Sequence, residues 1–253
     1  MNLCINDILE CMEEVKICDY SDYDYKNEFW DKANRKYEHK LEVRVVSDLL
    51  EKYSSSFRNI LDAGCGFGRL APAYKDKFQE CYMVDFAENL LSQAEKSLEP
   101  KDKFKFYKQS LYDLKIDKNV DAIISIRTLH HLNEVNKLFK RYYEALTING
   151  ILILDIPNFY HLKNKIKSKN KKREQMIQLS ETFYNYDPNF IIENLKKTGF
   201  NILSFRQLGL FRVNLLKKYI PATLLVNTEI CLNNFIKQSH IAPSVYVVAK
   251  KCG

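Results

Sequence analysis

The stretch Asn59-Ile60-Leu61-Asp62-Ala63-Gly64-Cys65-Gly66-Phe67-Gly68-Arg69-Leu70-Ala71-Pro72 decides how the rest of the chain is read. A strand-like apolar run ends in an acid, and three glycines then alternate with other residues before a segment that reads as a helix. Glycine lets the backbone turn sharply and approach a ligand closely, and the start of a helix offers unpaired amides. Spacing separates the ligands such a loop can serve. The dinucleotide fingerprint GxGxxG needs its third glycine at position 69, which is Arg69 here. A P-loop needs a lysine after its second glycine, and none is present. What remains is DxGxGxG.

Outward from this loop the chain alternates short apolar runs with amphipathic stretches. NILDA (59–63), CYMVD (81–85), KFKFYKQ (103–109), VDAIISI (120–126) and ILILDI (151–156) read as strands. GRLAPAYKDKF (68–78), AENLLSQAEKSL (87–98) and EVNKLFKRYYEAL (134–146) read as helices between them. Pro72 is tolerable in a helix's first turn. Strands alternating with helices of this length imply a parallel sheet with right-handed crossovers. Asp187-Pro188 then starts a helix that Gly199 stops, FNILSFRQL (200–208) is a sixth strand, and PSVYVVAKK (243–251) is a seventh that can sit near an edge. Upstream, Tyr37, Leu41, Arg44, Val45, Leu49 and Leu50 recur at helical spacing. The expected organisation is a helical cap over 1–56 and a core over 57–253, with insertions at about 157–186 and 209–240.

The segment DAGCGFG resembles the signature of class I S-adenosylmethionine-dependent methyltransferases of the small-molecule type, and the likeness runs from about Asn59 to Phe200. It implies an α/β, Rossmann-like, seven-stranded and mostly parallel sheet with helices on both faces, carrying N-terminal helices and helical insertions. It also implies S-adenosyl-L-methionine as cofactor. On this resemblance Asp62, Gly64, Cys65 and Gly66 form the cofactor loop, Asp85 grips the ribose hydroxyls, and Phe86 covers one face of adenine. The family commonly places an acid after the third strand to bind the adenine amine. Here that position holds Ser110, so Ser110, the Leu111 backbone or Asp113 takes over, in that order. Backbone around Ile126, after the fourth strand, faces the methionine part.

For a general base the candidates are His130 and His131, since imidazole titrates near neutral pH; packing against the sheet is the competing reading. No NPPY or DPPY follows the fourth strand, which argues against exocyclic amine methylation of DNA bases, and no Pro-Cys pair speaks for cytosine carbon methylation. Asp155 and Asn158 are the only strand-end metal candidates, without a fourth-strand partner, so no metal is expected.

Composition narrows the partners. The 253 residues are 28% charged and 46% hydrophobic, which is ordinary globular usage and excludes wholesale disorder. Cys4, Cys11, Cys18, Cys65, Cys81, Cys231 and Cys252 form no CxxC pair, so neither a zinc site nor a disulfide framework is indicated; the first three share a heptad spacing that fits a buried helical stripe. The net charge of +7 is local, because Lys163–Arg173 holds seven bases and no acid, and the rest of the chain is balanced. That argues against a dedicated nucleic-acid binder, although the run could still hold a phosphate. No basic leader precedes a long apolar run, and no uncharged stretch reaches membrane-spanning length, so a cytoplasmic protein is expected. The expected activity is methyl transfer by direct in-line displacement to a small or lipid-like acceptor. The acceptor is placed beneath the two insertions, among Phe159, Tyr160, Phe183, Tyr184, Tyr186, Leu210, Phe211, Leu215, Leu216, Tyr219, Leu224, Leu225 and Ile230. An RNA- or DNA-modifying methyltransferase and a non-catalytic cofactor-binding protein are the alternatives.

Overall fold

The computed structural model describes residues 25–31, 35–160, 176–180, 183–233 and 242–253. Cys4, Cys11, Cys18 and the basic run Lys163–Arg173 lie outside the described residues. Helix α1 (Lys36–Tyr53) leads into β1 (Asn59–Ala63), followed by β2 (Glu80–Asp85), α2 (Glu88–Ser97), β3 (Phe104–Lys108), β4 (Val120–Ser125), α3 (Val135–Ala145) and β5 (Leu146–Pro157). A two-stranded antiparallel hairpin, β6 (Met176–Ser180) and β7 (Phe183–Tyr186), falls in the first expected insertion. Then come α4 (Pro188–Thr198), β8 (Phe200–Leu208), α5 (Asn214–Tyr219), α6 (Ala222–Asn233) and β9 (Ser244–Lys251).

Seven strands form one sheet in the order β3-β2-β1-β4-β5-β9-β8. All neighbours are parallel up to β5, and β9 runs antiparallel between β5 and β8. The order reverses beside β1, which is where open α/β sheets leave a crevice at their carboxyl ends.

Strand alternation divides the core in two. Ile60, Met83, Ile124 and Ile153 face α1, α2 and α6, whereas Leu61, Val84, Ile123 and Leu154 face α3 and α4. Leu41, Val45, Leu49 and Leu50 of α1 are fully buried on the first face, so the helix packs on the sheet itself. Arg44 does not share that stripe; it points to solvent and pairs with Asp48 one turn on, at 2.9 Å. Helix α4 starts and stops as its sequence dictates. Asp187 accepts the Asn189 amide, Pro188 occupies the first turn, and Gly199 ends it with φ at +106°.

Two expectations are corrected. No α-helix follows the glycine loop: residues 66–77 form turns and one 3-10 turn, Ala71–Ala73. Gly68 sits at φ +76°, a left-handed conformation incompatible with a helix, and Pro72 cannot donate to one. The second insertion does not turn all its apolar residues toward a pocket. Leu225 is buried and Phe211 packs on Tyr37, but Leu215, Tyr219 and Leu224 are 66%, 71% and 57% exposed, because α5 and α6 dock through their other faces.

Candidate active site

The carboxyl ends of β1, β2 and β4 open into a cleft that encloses about 930 Å³ of space when the solvent at its mouth is counted. Strand β1 delivers Asp62 at the cleft wall, where it is 2% exposed and accepts a 2.7 Å hydrogen bond from Tyr74 Oη. Burial raises its carboxyl to about 7, against the opposing pull of the Tyr74 bond and Arg69, with Asp85 adding repulsion. Asp62 makes no ion pair among the described residues, although it borders the cleft.

The glycine turn is built around its neighbours. Gly64, at φ +80°, lies against Thr128; a Cβ there would come 2.3 Å from Thr128 Oγ1. Thr128 in turn donates to Ala63 O at 3.1 Å, tying the loop after β4 to the end of β1. The amides of Gly64 and Cys65 both donate to Val84 O, at 2.8 and 3.0 Å, and Gly66 N donates to Asp85 Oδ2 at 2.7 Å. These amides are therefore spent on the protein, and with no helix behind them the loop is not a phosphate cradle. The Cys65 thiol is buried, which holds its pKa well up and keeps it inert.

Asp85 closes β2 with its carboxylate held on both oxygens, Oδ2 by Gly66 and Oδ1 by Ala87 N at 2.9 Å. Beside it Phe86 stands 37% exposed at the cleft, an unusual place for a large apolar ring. Ser110, whose Oγ accepts the Tyr112 amide at 3.3 Å, and the buried Leu111 line the same wall, as does Ile126 after β4. Of the two candidate bases only His131 lines the cleft. His130 lies 3.9 Å from it, ring centre to ring centre, and stacks on Phe183. Burial, then the neighbouring His131 and Arg127, hold His130 neutral. Asp113 does not reach the cleft. Asn158, the other strand-end metal candidate, instead donates through Nδ2 to Ala242 O at 2.8 Å.

The N-terminal segment near Trp30 is expected to close over the cleft, but the buried acid beneath it had no reading in the sequence. Glu42 of α1, 1% exposed, accepts Arg69 Nη2 and Arg127 Nη2, both at 2.6 Å. Burial alone would raise Glu42, but Arg127 and Arg69 reverse that and hold it at about 2. Trp30, the chain's single tryptophan, stacks over both guanidiniums, 3.8 Å from Arg69 and 5.0 Å from Arg127. It thereby covers one side of the cleft from the short segment Tyr25–Asp31. Arg127 takes φ +60° to reach Glu42, a strained conformation for a non-glycine residue. The signal that could have found this network is Glu38 and Glu42, acids one helical turn apart, flanking the apolar Tyr37–Leu41–Val45 stripe.

S-adenosyl-L-methionine fits these residues. An ammonium group suits a buried carboxylate that lacks a cation, a ribose diol suits a fixed carboxylate, and a flat purine suits the exposed face of Phe86. The space a side chain would take at Gly66 is open apart from Leu90 Cδ1 at 3.9 Å, leaving room for a ligand to lie against the backbone.

Fold and site resemble those of class I S-adenosylmethionine-dependent methyltransferases. Residues 61–154 match the family model described as a methyltransferase domain. Among curated proteins the chain is 26% identical over 156 residues to a malonyl-(acyl-carrier protein) O-methyltransferase of Bacillus cereus, covering 58% of either chain. It thus spans little more than half the length of that relative. Among solved structures it resembles an S-adenosylmethionine-dependent methyltransferase from Clostridium acetobutylicum, with a TM-score of 0.62 and 18% identity over 90% of this chain and 96% of that one. It also shares its fold with the cyclase SpnF, with a TM-score of 0.56 and 16% identity over 83% of this chain and 81% of that one. No helix among the described residues is long and apolar enough to cross a membrane.

Proposed function

We propose that the protein is an enzyme that transfers the methyl group of S-adenosyl-L-methionine to a small or lipid-like acceptor. The observation that carries this reading is the fixed Asp85 carboxylate, clamped between Gly66 and Ala87 amides, beside the exposed Phe86 ring in one cleft. In this reading Asp85 receives the ribose hydroxyls, and Phe86 covers adenine while Ser110 or the Leu111 backbone meets its edge. Asp62 and the Gly64–Gly66 turn hold the methionine end, with backbone at Ile126 along its chain. The cofactor supplies an already activated methyl group. The protein's part is then to align the acceptor's nucleophile in line with that methyl and to exclude water, a contribution of positioning. Trp30 and the Glu42–Arg69–Arg127 network close one side of the cleft against solvent. The name of the Bacillus cereus relative, whose acceptor is a malonyl group on a carrier protein, supports a small acyl acceptor.

A second reading has one observation in its favour. A cyclase shares the fold, so the fold does not by itself require methyl transfer. Incubating the protein with methyl-labelled S-adenosylmethionine and a protein-free small-molecule extract separates the readings. The expected result is label in an extractable small product. Salt-sensitive label in bulk transfer RNA would favour the nucleic-acid-modifying alternative, and cofactor binding without any transfer would favour the non-catalytic one.

A further inference from the structure

Helices α5 and α6 follow the carboxyl end of β8, which runs parallel to β5, so they begin at the same end of the sheet as the cleft. Two contacts fix how close they lie. Lys217 of α5 pairs with Glu38 of α1 at 2.8 Å, one turn before Glu42. Arg212, in the loop before α5, comes within 4.0 Å of Glu42 itself, whose partners Arg69 and Arg127 line the cleft. Helix α6 then packs on α1 through Leu225 and Val226.

The other side of both helices turns outward. Val213, Leu215, Tyr219 and Leu224 are all exposed among the described residues. A helix that is apolar on every side is normally buried on every side. Helix α6, ATLLVNTEICLN, has no polar face, yet it buries only one of its sides. An apolar surface left open in this way marks an interaction site. Charge identifies the partner. From Gly209 to Asn233 the sequence holds three bases, Arg212, Lys217 and Lys218, and one acid, Glu229. That acid is fully buried, where it accepts the Gly209 amide and the Tyr37 hydroxyl. The outward face of the two helices therefore carries no negative charge of its own, and its rim is positive. Lys218 is exposed with its Nζ 5.4 Å from the Tyr219 ring centre, and the exposed Lys40 of α1 donates to Thr223 Oγ1, next to Leu224, at 3.0 Å.

We propose that this face docks on an anionic lipid surface and brings the cleft to the membrane boundary. Leu215 and Leu224 enter the acyl region, and Tyr219 lies at headgroup depth with its ring in the apolar layer and its hydroxyl in the wet one. Lys218 and Lys40 lay their alkyl stems along the apolar face and meet lipid phosphates with their ammonium groups. The chain's net charge of +7 has the sign that draws it toward such a surface. Docking of this kind lies in the interface plane and needs no spanning helix. Lysine is depleted where proteins meet proteins, so a lysine rim around apolar side chains favours lipid over a protein partner. A lipid-like acceptor then reaches the cleft without passing through water; that consequence, unlike the docking itself, rests on the methyl-transfer reading above.

The test sediments the whole chain, without cofactor, with vesicles of phosphatidylcholine alone and with vesicles of equal parts phosphatidylcholine and phosphatidylglycerol. The protein should pellet with the anionic vesicles and stay in solution with the neutral ones. Its partition coefficient should fall by about tenfold or more in a Leu215→Ser, Tyr219→Ser, Leu224→Ser triple variant. Lys218→Gln alone should weaken binding about fivefold, a difference that high salt removes. The three apolar positions are exposed, so the triple variant should keep the parent's melting temperature and its affinity for S-adenosylhomocysteine. No pelleting with anionic vesicles, equal pelleting with neutral ones, or undiminished binding by the folded triple variant overturns the proposal. So does a parent dimer, seen by light scattering without vesicles, that the triple variant dissolves, because the face then covers a second copy. Vesicle binding needs no cofactor, so its failure is told apart from a failure to bind S-adenosylhomocysteine, which defeats the methyl-transfer reading instead.

Discussion

Replacing Asp85 by alanine removes two kinds of interaction at once, and the structure separates their sizes. The carboxylate accepts the Gly66 and Ala87 amides, at 2.7 and 2.9 Å, and on the proposed reading its remaining lone pairs receive the ribose hydroxyls. Hydrogen bonds to a charged group are worth about 1.5–3 kcal/mol, so loss of the ribose contact should raise the cofactor Kd roughly 10- to 150-fold. Ala87 is buried and Gly66 half-buried, so freeing the two amides should cost about 2–4 kcal/mol of stability and leave the sheet folded. Trp30 provides the assay, being the only tryptophan and a wall of the cleft. Quenching or enhancement of its emission on adding S-adenosylhomocysteine gives Kd for parent and variant, and circular dichroism verifies folding. Asp85→Asn keeps one acceptor oxygen and should fall between the two. A folded Asp85→Ala protein with parental affinity would refute the role given to this carboxylate.

Other consequences follow from the same geometry. Asp62 loses its proton only near pH 7, so, with the proposed pairing of its carboxylate and the cofactor's ammonium, cofactor affinity should climb between pH 6 and 8, and Asp62→Asn should flatten that profile. Because an unfolded aspartate ionises near 4, the protonated group favours the fold below about pH 4 and this contribution fades as pH rises to 7. Asp62→Asn should accordingly gain stability over the parent at pH 8 in urea titrations, and the gain should vanish by pH 4. Glu42→Gln should destabilise by about 3 kcal/mol, as expected when a buried ion pair loses one partner, and the parent's own advantage should disappear as pH falls from about 4.5 to 2. Gly64→Ala should cost at least about 2 kcal/mol, from a left-handed φ and a clash with Thr128, with Thr128→Ala restoring part of it in a double variant. Trp30→Phe should weaken cofactor binding, measured calorimetrically, by about tenfold or less while leaving the melting temperature within a few degrees; unchanged affinity would show that the segment does not cover the cofactor.

The sheet was legible because its strands are apolar on both faces and its helices on one. Runs such as Ile151–Leu154 and Val245–Val248 have no polar alternation to obscure them, and β5 and β9, which carry them, are each flanked by strands on both sides. That the candidate residues share one cleft was legible for another reason: they lie in order along the loops after β1, β2, β3 and β4, so spacing in sequence becomes position in the cleft. The glycine loop misled in one respect. Alternating glycines read as a strand-to-helix turn, but a left-handed Gly68 leaves no helix to begin. What spacing could not show are contacts between distant segments, such as Glu42 with Arg69 and Arg127, or Tyr37 of α1 donating to Glu229 of α6. Each of these residues is ordinary in its own neighbourhood, and only the folded arrangement gives it a partner.

The central claim is that the cleft was shaped for S-adenosylmethionine and not for a dinucleotide, and calorimetry of the intact chain with S-adenosylhomocysteine and with NADH tests it most directly. Saturable one-to-one binding of S-adenosylhomocysteine, with no heat from NADH, is the result expected from a DxGxGxG turn whose amides are already spent and whose third dinucleotide glycine is Arg69. Tight NADH binding with no response to S-adenosylhomocysteine would contradict it.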